Sequence, residues 1–202
     1  MNNCYRNGFT LIEIVVVLAI IGVLAGILVP MVKGYLGSAQ ERRAKQDTQA
    51  LSEAILAFNK DTARFPIYQS GTATSPSDPV FVVLKTAGGQ APTASVDSAS
   101  WLSATSDTFE NQLEKNTPGG SGAAYPATGE FAWRGPYVGE ISHDPWGSQY
   151  YANVQYLQSI YINNAYPAIV LSAGSNKLIE TQYSQTGPGI TIGGDDIVFR
   201  LK

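Results

Sequence analysis

Ser142, His143 and Asp144 stand side by side and supply the residue types of a hydrolytic triad. Triads are assembled in space from distant chain positions, and immediate neighbours rarely reach one another in the right geometry. Asp144-Pro145 reads instead as the start of a turn. His143 is the sole histidine and Cys4 the sole cysteine. That count excludes a multi-histidine metal centre, a Cys-based metal site and any intramolecular disulfide. No Walker-type glycine loop is present, so energy from ATP would have to come from another protein. Trp133, Tyr137, Trp146, Tyr150 and Tyr151 could stack on a sugar or carry electrons, although such sets are more often core. The expectation is a protein that is not an enzyme.

One acid is out of place. Glu13 lies one turn inside an apolar segment whose uninterrupted part, Ile14 to Val32, holds nineteen uncharged residues before Lys33. Counted from Phe9, the segment is roughly 36 Å long as a helix, enough to cross the hydrocarbon of a bilayer. A carboxylate there costs about 2.5–3.5 kcal/mol at a helix centre and less near an end. Two readings fit: Glu13 marks the headgroup boundary, or it has a charged partner. Gly22, Gly26 and Pro30 weaken the helix from within, through backbone entropy and a lost hydrogen bond.

The chain has 202 residues, 44% hydrophobic and 14% charged, with a formal charge of −3 and a pI near 5.1. This suits one compact domain plus a membrane segment, and offers no basic field for nucleic acid. Beyond Lys33 the helix continues as an amphipathic stretch, with Leu51, Ala54, Ile55 and Phe58 on one face and Arg42, Lys45, Gln49 and Glu53 toward water. Arg64-Phe65-Pro66 ends it. Asp78-Pro79 before Val80–Leu84 reads as the capped start of a short helix stopping at Gly88, with a strand as the alternative. Asp107 and Glu110 form a capping pattern for a short helix with Phe109 and Leu113. Residues 69–77, 87–100 and 116–129 are rich in Ser, Thr, Ala, Gly and Pro and read as surface loops. SQYYANV, AIVLSAG and DIVFRL then read as strands.

Gly8 followed by Phe-Thr-Leu-Ile-Glu resembles the processing site of type IV prepilins and type II secretion pseudopilins, with Asn7 before the glycine and Arg6 one further back. The passage from Trp133 to Val154, the strand ending Val170-Leu171-Ser172-Ala173-Gly174, and Gly193-Gly194-Asp195-Asp196-Ile197 are similar to the major, G-type pseudopilins. The resemblance implies an α+β, type IV pilin-like fold: a long N-terminal helix packed on a small antiparallel sheet. It divides the chain into a leader (1–8), a membrane-spanning helix (9–32), an amphipathic half (33–65), a loop-rich region (66–132) and a sheet region (133–202). It also implies cleavage between Gly8 and Phe9 by a prepilin peptidase, N-methylation of Phe9, and pairing of Glu13 with the Phe9 amine of a neighbouring subunit. In assembled fibres of the family the stretch corresponding to Gly22–Pro30 can lose its helix. The family's calcium loop maps onto Asn176, Glu180, Asp195 and Asp196 with carbonyls near Ala173 and Leu178; a solvated acidic turn accounts for the same residues.

The resulting expectation is a structural fibre subunit, most simply a major pseudopilin of a type II secretion system. It would sit in the bacterial inner membrane by a single span with its C-terminal domain in the periplasm, then polymerise. Its partners would be copies of itself, minor pseudopilins or pilins, the peptidase, an assembly platform with a separate ATPase, and membrane lipid. A surface type IV pilin is the alternative. A less favoured one is a secreted ligand-binding module, released by a conventional signal cut near Gly37, Ser38 and Ala39.

Overall fold

The computed structural model describes residues 9–201 except 74, 76, 162–164 and 188. They fall into two compact units divided after Ala39. Helix α1, Leu11–Thr62, contributes residues to both.

In the first unit the aliphatic side chains point outward on every face: Val16, Leu18, Ile21, Leu24 and Leu28 are each about half exposed or more. This follows from sequence, because a run apolar at every position has no polar face to give to water. It is the one stretch among the described residues long and apolar enough to cross a membrane. The helix is unbroken through Gly22 and Pro30 in the single chain, while the extension expected there concerns the assembled fibre.

In the second unit α1 becomes one-sided. Ala44, Thr48, Leu51, Ser52, Ile55, Phe58 and Thr62 recur at three- and four-residue spacing and are buried, as an amphipathic helix requires. Leu51, Ile55 and Phe58 join the sheet residues Val83, Leu84, Val170 and Leu171 in one core. Complete burial of each such side chain stabilises the domain by about 1.5–3 kcal/mol. Arg64-Phe65-Pro66 stops the helix where expected: Ala63 takes a left-handed φ of 54°, and the Thr62 hydroxyl donates to the Phe58 carbonyl at 2.8 Å.

Among the described residues seven strands follow: β1 (Val83–Lys85), β2 (Thr93–Ala94), β3 (Ser106–Thr108), β4 (Tyr151–Ala152), β5 (Ile169–Ser172), β6 (Leu178–Ile179) and β7 (Ile197–Arg200). The main sheet has the order β3-β1-β4-β5-β7. Its β1–β4, β4–β5 and β5–β7 pairings are antiparallel, as expected, but β1 and β3 run parallel, so the sheet is mixed. β5 is buried along all four residues, which is why Ile169-Val170-Leu171 is apolar at successive positions rather than alternating. β2 and β6 form a separate parallel pair, Thr93 opposite Leu178 and Ala94 opposite Ile179.

The short helix expected over Val80–Leu84 is not formed. The chain is already extended at Val80, which bridges Tyr68, and Phe81 N–H donates to the Ile67 carbonyl at 2.7 Å. Val83 and Leu84 then enter β1, where the sheet satisfies their backbone and the β-branched run favours the pleat over a capped helix. After β3 the expected turn with Phe109 and Leu113 is present as a π-helical turn, Glu110–Glu114. The loop-rich region is tied down by Asp107, which is 4% exposed. Its carboxylate accepts from Asn111 Nδ2, Gln112 Nε2 and Gly119 N–H, each at 2.7 Å, and Gln112 Oε1 accepts from the buried Tyr125 hydroxyl at 2.6 Å.

Candidate functional site

At the head of α1, Thr10 and Glu13 form a reciprocal capping box. Thr10 N–H and Thr10 Oγ1 both donate to Glu13 Oε2, at 2.8 and 2.7 Å, and Glu13 N–H points back to Thr10 Oγ1 at 3.3 Å. The carboxylate is therefore positioned by its own first turn. Its Oε1 accepts no hydrogen bond among the described residues and is open to a cation. Thr-Leu-Ile-Glu is the S/T-x-x-E signature of such a box, a signal available in the sequence but read there only as part of a processing motif. Phe9 is 86% exposed, and Gly8 lies outside the described residues.

The second set, Asn176, Glu180, Asp195 and Asp196, is brought together where the turn after β5 meets the approach to β7. Asp195 Oδ2 accepts from Ser175 N–H at 2.7 Å, Ser175 Oγ at 2.6 Å and Asn176 N–H at 3.1 Å. Partial burial works against its charge, but the Ser175 hydroxyl and the two amides outweigh this and hold the carboxyl below its ordinary value. Asp196 turns the other way, its Oδ2 accepting from Glu180 N–H at 2.9 Å and Thr181 N–H at 2.6 Å. Burial pushes its carboxyl up, against the pull of the Thr181 and Glu180 donors. Asn176 Nδ2 donates to Glu180 Oε2 at 2.9 Å and its Oδ1 accepts from Leu178 N–H at 2.7 Å. Gly174, at φ 66°, is what lets the first arm lie against Asp195, since a Cβ there would collide with the Asp195 backbone.

The donor types suit calcium, which takes carboxylate and amide oxygens. Asp196 Oδ1 is buried with no hydrogen-bond partner among the described residues, an oxygen that a cation would satisfy. Against this, no three acidic or histidine groups among the described residues converge on one point. Asp195 and Glu180 would have to exchange hydrogen bonds to close on an ion.

Trp101 Nε1 and Ser98 Oγ both donate to the Thr181 carbonyl at 2.9 Å, beside the Asp196 contact. Neither was legible as part of this loop, because they lie some eighty residues earlier in a Ser- and Ala-rich stretch.

The remaining sequence candidates resolve into structure. Asp144 is fully buried and its carboxylate accepts from Trp146 N–H, Ser148 N–H and Ser172 Oγ at 3.0, 2.7 and 2.7 Å, so it organises a turn against β5. His143 Nδ1 contacts only the Asp144 carbonyl, at 2.7 Å, and the Asp144 carboxylate makes no bond to the ring. Tyr150 and Tyr151 are core residues, with Tyr150 OH donating to Asp47 Oδ2 at 2.8 Å. Trp133 and Tyr137 pack edge to face at 5.7 Å beside Phe58, well separated in role from Trp146. The five rings do not make one platform for a ligand.

Residues 3–29 match the family model for the prokaryotic N-terminal methylation motif. The chain carries that motif. It is also similar to the type II secretion system core protein G of several bacteria. It is 36% identical to the Aeromonas hydrophila protein over 66 residues, 33% of this chain and 46% of that one. It is 39% identical to the Escherichia coli K12 protein over 66 residues, 33% and 46% of the two chains. It is 38% identical to the Pseudomonas aeruginosa protein over 71 residues, 35% and 50%. The chain spans about half the length of the curated relatives it matches. No solved structure matches it.

Proposed function

We propose that the chain is a structural subunit of a pilus-like fibre, the major pseudopilin of a type II protein secretion system. The observation that carries this is the methylation motif at the head of a helix whose apolar side chains are exposed on all faces, with Glu13 held at its first turn. An all-round apolar helix needs lipid before assembly and other helices after it. The inner membrane is then its first home, with the C-terminal domain in the periplasm. A prepilin peptidase cleaves between Gly8 and Phe9 and methylates the new amine. Glu13 pairs with the Phe9 amine of a neighbouring subunit, through the oxygen that the capping box leaves open. In the fibre the segment from Gly22 to Pro30 extends. Minor pseudopilins, an assembly platform and a separate ATPase complete the machine.

Calcium belongs to the same reading as a stabiliser of the domain, held by Asn176, Glu180, Asp195 and Asp196, with the unpartnered Asp196 Oδ1 as its support. Adding calcium raises the melting temperature and a chelator reverses the rise; an unchanged melt removes the cation from the reading.

The decisive experiment expresses the full chain with and without Glu13→Ala. The unaltered chain fractionates with membranes and forms fibres; Glu13→Ala keeps the first property and loses the second. Recovery of a soluble chain that never enters membranes would instead establish the secreted-module alternative. Immunogold labelling separates short periplasmic fibres from long surface pili, the alternative within the fibre class.

A further inference from the structure

Two exposed features of the second unit differ in shape and charge and lie at opposite ends of its part of α1. At one end is a cleft of about 390 Å³ whose lining includes Glu41, Lys45, Trp146, Ile192, Asp195 and Asp196, three acids against one base. Its apolar wall is open to solvent, Ile192 being 51% exposed.

At the other end is the loop 126–137. Tyr137 packs edge to face on Phe58 at 5.6 Å, which fixes the loop to the last turns of α1. Trp133 N–H donates to the Pro126 carbonyl at 2.7 Å and Arg134 N–H to Tyr137 Oη at 2.8 Å, so the loop is held in shape. It presents an apolar tip, Phe131 at 55% exposure, with the exposed Glu130 and Arg134 beside it. The Arg134 guanidinium makes no salt bridge among the described residues. Lys45 and Asp61 are sixteen helical residues apart, so cleft and loop are separated by about 24 Å along the helix.

Resting on the fibre-subunit reading above, we propose that the loop of one copy docks in the cleft of the next. Phe131 enters between Trp146 and Ile192. Arg134 faces Glu41, while Glu130 faces Lys45. A guanidinium with five donors suits a cleft in which acids outnumber bases. Because the two patches differ and lie at opposite ends, the contact is head-to-tail and does not close on itself; repeated, it propagates a filament.

The test uses fibres of the full chain in a Cys4→Ser background, oxidised with copper phenanthroline. The chain carrying both Phe131→Cys and Ile192→Cys gives a ladder of disulfide-linked multimers on non-reducing gels, and each single variant gives none. A double variant that stays monomeric, or stops at dimers, while fibres are visible by electron microscopy overturns the contact. Independently, Glu41→Lys and Arg134→Glu each reduce fibre yield and their combination restores it; singles without effect, or a double no better than the worse single, also overturn it. Fibres that vanish on Glu13→Ala yet give no ladder sink this contact alone. A chain that never forms fibres sinks both it and the reading beneath it.

Discussion

The first unit's share of α1 and the second unit's share belong to one helix but solve opposite problems. Up to Ala39 the side chains are mostly aliphatic and nearly all exposed; from Gln40 the apolar residues narrow to a stripe that is mostly buried, Leu56 staying 45% exposed. The sheet of the second unit covers what α1 offers it. The described residues leave the first part exposed, which on the fibre-subunit reading is the surface for lipid and then for other copies. Leucine makes the contrast plain: Leu51 is fully buried and Leu24 is 52% exposed, in the same element.

That contrast can be broken by deleting the same atoms at both places. Leu51→Ala lowers unfolding free energy by about 3 kcal/mol, as expected of a buried leucine. Leu24→Ala leaves the denaturation midpoint of the domain unchanged. Chemical denaturation followed by tyrosine fluorescence reads both. Asp107→Ala comes next, at about 2–3 kcal/mol, because it strands the Asn111, Gln112 and Gly119 donors. Its sharper signature is new proteolytic cleavage within 116–125, with membrane partition unaltered.

A smaller effect separates the two parts by pH. Burial pushes the Tyr151 hydroxyl up to about 12 from 10.0 and also raises Tyr125, Tyr150 and Tyr183. The folded domain therefore keeps these protons after the unfolded chain has released them. The stability they contribute is complete below pH 10 and, for Tyr151, is lost between pH 10 and about 12. Melting temperature should fall across that window together with the rise of tyrosinate absorbance, while helix signal from the tyrosine-free stretch 9–34 persists in detergent.

Much of this was legible because the signals were local. The apolar run, the amphipathic stripe through Leu51, Ile55 and Phe58, the stop at Arg64-Phe65-Pro66, and the runs that became β5 and β7 each announce themselves within a few residues. Val80–Leu84 was read as a helix because Asp78-Pro79 is a strong local start signal, and only pairing with distant β3 and β4 overrides it. β2 and β6, two residues each and mostly polar in setting, carry no pattern of their own. The acids near the C-terminus were visible, but their sorting was not. That Asp195 serves the turn at Ser175 while Asp196 serves Thr181 depends on a close approach around Gly174 that no spacing predicts. Asp107 was read as a helix cap; its role as anchor of the long loops needs Gly119 and Gln112 in three dimensions.

The parallel pair β2–β6 sets a timetable. Thr93 is fastened to Lys177 across 84 positions, Ser98 to Thr181 across 83, and Tyr150 to Asp47 across 103. The earliest, Tyr150 to Asp47, can form only once residue 150 has been made, and the last only once the ribosome has passed residue 181. At roughly 5–20 residues per second, α1 is complete some 6–24 s before the chain can close over it. Contacts of such long sequence separation also form slowly once available. During that interval an all-round apolar helix adrift in water would aggregate, so its shelter must be found while the domain is still an open chain. On the membrane-subunit reading, the order of synthesis puts insertion before folding, and leaves the domain to knit itself together afterwards around a helix already in place.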